Sequence, residues 1–355
     1  MTSMQHKFGA LDLIRAGLQD LDRARTLFDE LHNDGIDDDR MRLLLATLEK
    51  ACDPDIALSN LVDIIKVMQS QGKDFTNIIA DENSFVRLIT VLGVSDEMGK
   101  LMRFRPELVE AAANDACESH LYNHEQRRAH VLKSVGADPN DHTMPTASLP
   151  LAEAATALRK TYRKQLAAIM AQDATANDPI EIQPRISTEL SDLADAALEG
   201  ALAIARHEVD GSEHVRFAII GMGKLGAQEL NYVSDVDLIY VVEPADMDTN
   251  GMALSRIGTK MATTLQRVCQ SVIMGVAEPT LWQIDGGLRP EGKDGPLVRR
   301  LESHEAYYEQ WAENWEFQAL LKARPVAGDT DLGQAYMDMT RPFVWTASKR
   351  DDFVY

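Results

Sequence analysis

The sequence predicts a mostly helical α+β protein in which a small mixed sheet follows a long helical region. Apolar residues recur at three- and four-residue spacing through the first 133 residues, as in amphipathic helices. Short apolar runs rich in β-favouring residues, VRFAIIG (215–221) and DVDLIYVV (235–242), begin only beyond position 215. With 355 residues, the chain is long enough for about two domains.

The helical region is predicted from patterns such as Leu11, Ile14, Leu18 and Leu21, which share one helical face. Residues 136–150 are rich in Asp, Asn, Thr and Pro, which predicts a loop or linker.

Two further helices are predicted before the sheet. One covers 151–171. The polar stretch 173–185 contains two prolines and is interpreted as a second loop, after which Ser187 would cap a helix that ends near His207.

Beyond the two strands, helical spacing returns at 252–274, and LWQID (281–285) predicts a short strand that ends at a glycine pair. A last helix is predicted over 302–321. Its aromatic residues, expected to pack in the core, are Tyr308, Trp311, Trp315 and Phe317.

These elements suggest three consecutive segments. Residues 1–150 would form a helical N-terminal region, 151–330 a catalytic domain, and 331–355 the start of a further helical segment. The last residues, DDFVY, show no helix stop signal, so we expect this chain to be part of a longer one.

Composition limits the possible partners. The chain has 56 acidic and 36 basic residues, a net charge of −20, which disfavours nucleic acid and anionic membranes as partners. An apolar fraction of 45% is typical of globular chains. The three cysteines are scattered, and the sequence shows neither a membrane span nor a signal peptide, so we expect reduced thiols and a cytoplasmic protein.

The candidate chemistry centres on Asp235 and Asp237. Alternate residues of a strand face the same side, so both carboxylates project together at the start of an apolar strand. Paired carboxylates repel each other unless a cation lies between them, and hard oxygen ligands suit Mg²⁺. Asp285 ends the strand LWQID and would join the cluster if that strand pairs beside the first. Three carboxylates could hold two metal ions for a phosphoryl displacement, although the number of ions stays open.

Phosphate-binding groups are predicted around these acids. The glycine-rich stretch GMGKLG supplies Gly221, Gly223 and Lys224, whose backbone can approach phosphate oxygens closely. Ser234 lies beside the acidic pair and could contact phosphate as well.

Basic residues farther along form a local positive set in an acidic chain. Arg289, Lys293, Lys322 and Arg324 could neutralise phosphate charge in the transition state. Arg324 could equally be a structural salt-bridge partner.

Three other interpretations of these motifs are possible from the residues. An Asp-x-Asp pair alone is most often a solvated strand edge. GMGKLG also fits a dinucleotide-binding fingerprint, but 227–234 is too short for the crossover helix of a βαβ unit. Cys117, His120 and His124 share a helical face, yet lack a clear fourth zinc ligand nearby.

Several segments of the sequence resemble a known family. The segment GMGKLGAQELNYVSDVDLIYV (221–241) resembles the nucleotidyltransferase signature of the glutamine synthetase adenylyltransferase/adenylyl-removing enzymes, within the DNA polymerase β-like superfamily. Residues 284–329 resemble the segment that follows the signature in that family. Weaker similarity extends through 87–109, 158–169 and 189–202.

The resemblance implies a polymerase β-like nucleotidyltransferase domain and Mg²⁺-dependent chemistry on glutamine synthetase. Asp235, Asp237 and Asp285 match the metal-binding acids of the family, and Gly223, Lys224 and Ser234 fall in its nucleotide-binding loop. The implied partners are adenylylated glutamine synthetase, orthophosphate, ADP or ATP, and a PII-type signal protein.

Family members carry an adenylyl-removing half and an adenylylating half. The early position after Met1 and GPLV after the LRP turn resemble the first, which implies phosphorolysis of adenylyl-tyrosine to ADP and free tyrosine. Adenylylation from ATP stays open, as does a non-catalytic module that senses the PII-type protein. An RNA nucleotidyltransferase is the more distant alternative.

Overall fold

The computed structural model describes residues 8–73, 75, 81–113, 122–246, 250–347 and 349. The chain divides into two compact units. Unit 1 comprises Met1–Leu121 with Arg163–Gln183, and unit 2 comprises Tyr122–Tyr162 with Pro184–Tyr355. These units are interleaved along the chain, whereas the predicted segments 1–150, 151–330 and 331–355 are consecutive; that domain assignment stays a prediction.

Unit 1 is helical, as the spacing of its apolar residues predicts. Several of its helices begin at an aspartate whose side chain accepts a hydrogen bond from a backbone N–H one turn later, as Asp20, Asp37, Asp53 and Asp81 do. The helices are α1 (Ala10–Arg15), α2 (Leu21–Asn33), α3 (Asp38–Leu48), α4 (Pro54–Ser70), α5 (Glu82–Val94), α6 (Asp96–Phe104) and α7 (Pro106–Ala113).

The apolar face of α4 lies at the centre of the core of unit 1. Leu58, Leu61, Val62 and Ile65 are almost completely buried there. The first predicted helical face is only partly correct: Leu18 is buried, but Leu11 is 62% exposed and α1 ends at Arg15.

Unit 2 combines helices with a five-stranded sheet. Its strands are β1 (Val215–Gly221), β2 (Val236–Pro244), β3 (Ile284–Asp285), β4 (Val298–Arg299) and β5 (Arg324–Gly328). The remaining helices are α8 (His124–Ser134), α9 (Leu151–Ala174), α10 (Pro179–Glu208), α11 (Gly223–Gly226), α12 (Gly251–Gln270), α13 (Leu301–Gln310), α14 (Asn314–Leu320) and α15 (Thr330–Ala347). By the bounds of the units, α9 and α10 each contribute residues to both.

The sheet is mixed, as predicted. Its order is β3-β2-β1-β5, and β4 also pairs with β2. β1 runs antiparallel to β2 and to β5, while β3 and β4 run parallel to β2. One face of β1 and β2 packs on α13, α14 and α15. The central residues of this core are Ile220, Ile239, Tyr308, Phe317 and Tyr336. The mostly helical α+β class is therefore confirmed.

The helix predicted to begin at Ser187 begins instead at Pro179. Asp178 caps it by accepting hydrogen bonds from Ile180 N (2.9 Å) and Glu181 N (3.1 Å), and Pro179 occupies the first helical position, where no N–H is needed. Pro184 removes one hydrogen bond but does not end the helix. The predicted loop over 173–185 is therefore confirmed only over 175–178, and it was wrong from Pro179 onward, where both prolines lie inside the helix.

The helix predicted over 302–321 is two helices, α13 and α14, separated at 311–313. Glu313 begins α14 through a capping box with Glu316, since Glu313 N donates to Glu316 Oε2 at 2.9 Å. Core packing is confirmed for Tyr308 and Phe317. It was wrong for Trp311, in the break, and for Trp315, just after it, which are 72% and 50% exposed.

The remaining differences concern short elements. The helix over 252–274 ends at Gln270, and LWQID forms a strand only at 284–285. β4 and β5 were not predicted, because β4 has two residues and β5 contains a proline and a glycine. Among the described residues, no helix is long and apolar enough to cross a membrane.

Candidate active site

The sheet brings the three predicted acids to one place. In the parallel pairing of β3 with β2, Asp285 is the register partner of Asp237. Register partners on neighbouring strands have their side chains on the same face of the sheet. Asp235 precedes β2 by one residue and shares the alternation of Asp237. The condition set from sequence, that the strand of Asp285 pairs beside the other, is therefore met.

The electrostatics of Asp237 confirm this proximity. Partial burial raises the pKa of the Asp237 carboxyl above its ordinary value, and the charges of Asp235 and then Asp285 raise it further. The ammonium of Lys224 acts in the opposite direction. Among the ion pairs of the described residues, none joins an Arg or Lys to these three acids. Their mutual repulsion is thus left for another cation to offset.

The glycine loop (221–226) lies directly over Asp237. β1 ends at Gly221, and the next amide, Met222 N, donates to the carbonyl of Asp237 at 2.9 Å. Gly223 has φ +54°, and a Cβ there would lie 2.5 Å from Asp237 Oδ2. A side chain at position 223 would therefore be strained by the positive φ and would force the carboxylate or the loop to move.

Lys224 and Ser234 border the acids. Lys224 is exposed, and its charge reaches Asp237, as the pKa of that group shows. The hydroxyl of Ser234 donates to the carbonyl of Asp235 at 2.8 Å. Phosphate contacts by Gly221, Gly223, Lys224 and Ser234 stay predictions.

The predicted basic residues have protein partners. Lys322 pairs with Glu229 at 2.7 Å on the surface. Arg289 donates to the carbonyls of Gly286 (2.6 Å) and Gly295 (3.2 Å), which closes the loop after β3. Their phosphate roles stay predictions. Among the described residues, no carboxylate forms an ion pair with the exposed Lys293.

Arg324 confirms the salt-bridge alternative that the sequence left open. Its Nη1 and Nη2 donate to the two carboxylate oxygens of Asp195 at 2.6 and 3.1 Å. Its Nη2 and Nε also donate to the carbonyls of Leu225 (3.1 Å) and Gly226 (3.3 Å). The guanidinium is therefore directed toward Asp195 and the glycine loop.

Sequence reasoning missed the residues that hold Asp285 in place. The buried Arg159 donates to the carbonyls of Val268 (2.8 Å), Ser271 (2.7 Å) and Glu278 (2.9 Å), and so orders the segment that leads into β3. Nearer β3, Trp282 Nε1 donates to Tyr162 Oη at 3.0 Å. The chemistry of these side chains gives no local signal for such distant partners.

Sequence analysis also did not predict a second group of possible metal ligands. One ligand atom each of His124, Asp192 and Asp195 lies within 4.8 Å of the others. Arg324 already neutralises Asp195 through a bidentate salt bridge, which disfavours a further cation there. Of the rejected zinc ligands, Cys117 and His120 lie outside the described residues.

Comparison with known proteins then identifies the family. A sequence profile of the glutamate-ammonia ligase adenylyltransferases matches residues 85–339. The chain belongs to this family. It is therefore related to enzymes that transfer adenylyl groups, and the nucleotidyltransferase resemblance is confirmed.

Similarity to curated relatives supports the same family assignment. The chain is 73% identical, over all 355 residues, to a bifunctional glutamine synthetase adenylyltransferase/adenylyl-removing enzyme of Bifidobacterium longum (strain DJO10A), and covers 33% of it. A relative of the same name from Cutibacterium acnes is 40% identical over 345 residues, which are 97% of this chain and 34% of that protein. The chain thus spans about a third of the length of these relatives.

Proposed function

We propose that this chain removes AMP from the adenylylated tyrosine of glutamine synthetase by phosphorolysis, giving ADP and the unmodified synthetase. The observation that carries the proposal is the register pairing of Asp237 with Asp285, beside Asp235 and under the glycine loop. Family membership supports glutamine synthetase as the protein substrate, since the relatives carry that name. A polymerase β-like arrangement of the domain is part of the proposal.

The three acids fit a divalent cation such as Mg²⁺. They are hard oxygen donors, and the pKa of Asp237 is raised by the charges of the other two. When bound by Asp235, Asp237 and Asp285, Mg²⁺ would neutralise charge on the transferring phosphoryl group. A lysine at 224 would add positive charge at the same edge of the sheet.

The chemistry needs little beyond alignment and charge. An oxygen of orthophosphate attacks the phosphorus of the adenylyl group, the bond from phosphorus to the tyrosine oxygen breaks, and the phenolate takes a proton from solvent. Tyrosine is a fair leaving group because its pKa is about 10. In this proposal the glycine loop positions the adenylyl phosphate, and Ser234 and Lys224 border it. Arg289, Lys322 and Arg324 remain candidates for phosphate contact.

The direction of transfer rests on a sequence feature. GPLV after the LRP turn (288–298) resembles the adenylyl-removing half of the family. The second candidate is adenylylation of the same tyrosine from ATP, which the name of the matched family favours. Both reactions pass through the same adenylyl phosphate and differ in the nucleophile. Response to a PII-type signal protein and a cytoplasmic location belong to the proposal as expectations.

The test is direct. Adenylylated glutamine synthetase is incubated with this chain and Mg²⁺, with or without orthophosphate, and nucleotides are separated by chromatography. We expect ADP only when phosphate is present. No ADP should form when excess EDTA chelates the Mg²⁺.

Incorporation of AMP from ATP into unmodified synthetase, without phosphorolysis, would assign the adenylylating direction instead. If neither reaction occurs while the full-length relative is active in the same assay, the catalytic proposal for this chain fails.

A further inference from the structure

The glycine loop is anchored to the sheet at its first residues but needs support along its outer side. Gly221 pairs with Leu238, and Met222 N reaches Asp237 O. Beyond these bonds the chain leaves the sheet in the single turn of α11. A turn of four residues has little stability of its own, so its position depends on contacts with other elements.

Those contacts come from the start of β5. A Cβ at Gly226 would overlap the carbonyl oxygen of Lys322, so the end of the loop lies against the backbone that leads into β5. Two residues later, Arg324 donates to the carbonyls of Leu225 and Gly226. These carbonyls end a helical turn, where the negative end of the peptide dipoles attracts a cation.

Asp195 of α10 holds the guanidinium of Arg324 in this orientation. Its side chain is fully buried, and its two oxygens accept from both terminal nitrogens of Arg324 in the bidentate arrangement that fixes guanidinium geometry. Arg324 therefore links a rigid, buried helix to the loop.

One turn earlier, α10 contacts the residues that follow the glycine loop. Asp192 Oδ1 accepts from Gln228 Nε2 at 3.1 Å, and Gln228 has a φ of +56°, unfavourable for a residue other than glycine. Ser191 Oγ accepts from Leu230 N at 3.4 Å. One face of α10, with Ser191 and Asp195 buried and Asp192 half-buried, thus contacts the glycine loop and the residues that follow it.

We propose that Asp195 and Arg324 are positioning residues that hold the glycine loop in register with Asp237, and that the Asp192–Gln228 bond is a second tether immediately after that loop. The effect on turnover rests on the proposed function. Misplacement of a binding loop by about 1 Å can lower a rate about 10²-fold, so loss of this support would act on catalysis without touching substrate.

The experiment compares two matched substitutions, Arg324→Lys and Arg216→Lys. Arg216 forms an equivalent bidentate pair with Asp329, at 2.7 and 2.9 Å, at the far end of β1, and it does not contact the loop. Lysine keeps the charge, but its ammonium has three N–H donors and no planar fork, so it cannot make the four hydrogen bonds of Arg324, including the bidentate pair with Asp195. Hydrogen exchange of peptides covering 221–230 is measured, together with kcat and KM for AMP removal.

We expect Arg324→Lys to speed amide exchange in 221–230 about tenfold and to lower kcat about 10²-fold with little change in KM for the synthetase. Arg216→Lys should change neither. Equal exchange and equal kcat in the two variants would overturn the proposal. The exchange measurement needs no turnover, so it tests the support of the loop even if the proposed reaction fails.

Two more variants separate positioning from phosphate binding. Asp195→Asn should lower kcat as Arg324→Lys does, although an acidic side chain at 195 has no reason to bind phosphate. Gln228→Gly relieves the positive φ while removing the tether to Asp192, so it should fold and still speed exchange. A raised KM for orthophosphate in Arg324→Lys, with normal exchange and normal Asp195→Asn, would instead make Arg324 a phosphate ligand.

Discussion

Asp237 and Asp285 lie side by side, but the strands that carry them are built differently. β2 has nine residues, and β1 pairs with it over seven consecutive positions, from Val215 with Pro244 to Gly221 with Leu238. β3 has two residues, and its approach is ordered by side chains of α9 and α12. Arg159 and Tyr162 act from α9, while Gln270 Oε1 of α12 accepts from Ile284 N at 2.7 Å.

The difference shows two ways of placing a carboxylate. Backbone pairing and apolar burial fix β2, so its position should tolerate loss of single polar side chains. β3 depends on a few hydrogen bonds from distant residues. Loss of any one of these bonds should therefore destabilise the position of β3 measurably. The following predictions, from the largest effect to the smallest, test this contrast.

Asp237→Asn should lower the rate of AMP removal by about 10³-fold, the scale seen when one member of a catalytic set is removed. Because the substitution also relieves repulsion among three carboxylates, the metal-free protein should be as stable as the wild type or more so. Turnover is followed by nucleotide chromatography and stability by thermal unfolding.

The matched control is Asp246→Asn, beyond the other end of β2, where Asp246 pairs with His214 on the surface. It should leave turnover unchanged. Substantial activity in Asp237→Asn would contradict the assignment of this acid to the reaction.

Arg159→Met should lower the free energy of unfolding by about 3 kcal/mol, because carbonyls of Val268, Ser271 and Glu278 lose their buried donor. Exchange in 268–285 should accelerate with it. The control, Arg300→Met, removes the partly exposed pair with Glu243 at the end of β2 and should cost less than about 1 kcal/mol. Urea denaturation measures both, and equal losses would remove the contrast between the two strands.

The helix α13, which packs on the face of β2, contains the buried His304. Protonation of this residue should lower the stability of the protein in acid. Burial lowers the pKa of this imidazole to about 3, from 6.5. Between these values the unfolded chain binds a proton that the folded protein does not, so stability falls as pH decreases below 6.5. The loss from this group should reach about 2 kcal/mol at pH 5.

His304→Phe keeps a ring against Tyr308 and Tyr336 but cannot be protonated. Its stability should therefore depend less on pH than that of the wild type when urea denaturation is compared from pH 7.5 to 5. Parallel pH dependence of the two proteins would show that His304 is not buried as described. The matching support of β3 is a guanidinium, which stays protonated over this range.

Trp282→Phe should have the smallest effect, about 1 kcal/mol, because it removes one hydrogen bond to Tyr162 and keeps an aromatic ring at an edge-to-face contact with centroids 6.2 Å apart. Tyr162→Phe and the double variant complete a double-mutant cycle. Additive losses would mean that the bond contributes nothing to the order of β3.

Much of the fold and of the site followed from the sequence, because the deciding interactions are local. The apolar runs of β1 and β2, the glycines between them and the Asp-x-Asp spacing each occupy a few consecutive residues. The position of Asp285 was predicted conditionally. An acid at the end of a strand comes next to Asp237 if that one strand pairs with β2. The start of α10 was also local, but Asp178 and Pro179 as cap and first helical residue were interpreted as loop.

The sequence by itself determined which residues form the acidic cluster and the loop above it, since strand alternation and glycine geometry act within a few positions. The tertiary structure decided what holds them together. Arg324 could bind phosphate or a carboxylate, and its partner Asp195 lies 129 positions away. Arg159 reaches carbonyls 109 to 119 positions away. Such hydrogen bonds depend on which surfaces meet after the chain folds, and no local periodicity encodes that meeting.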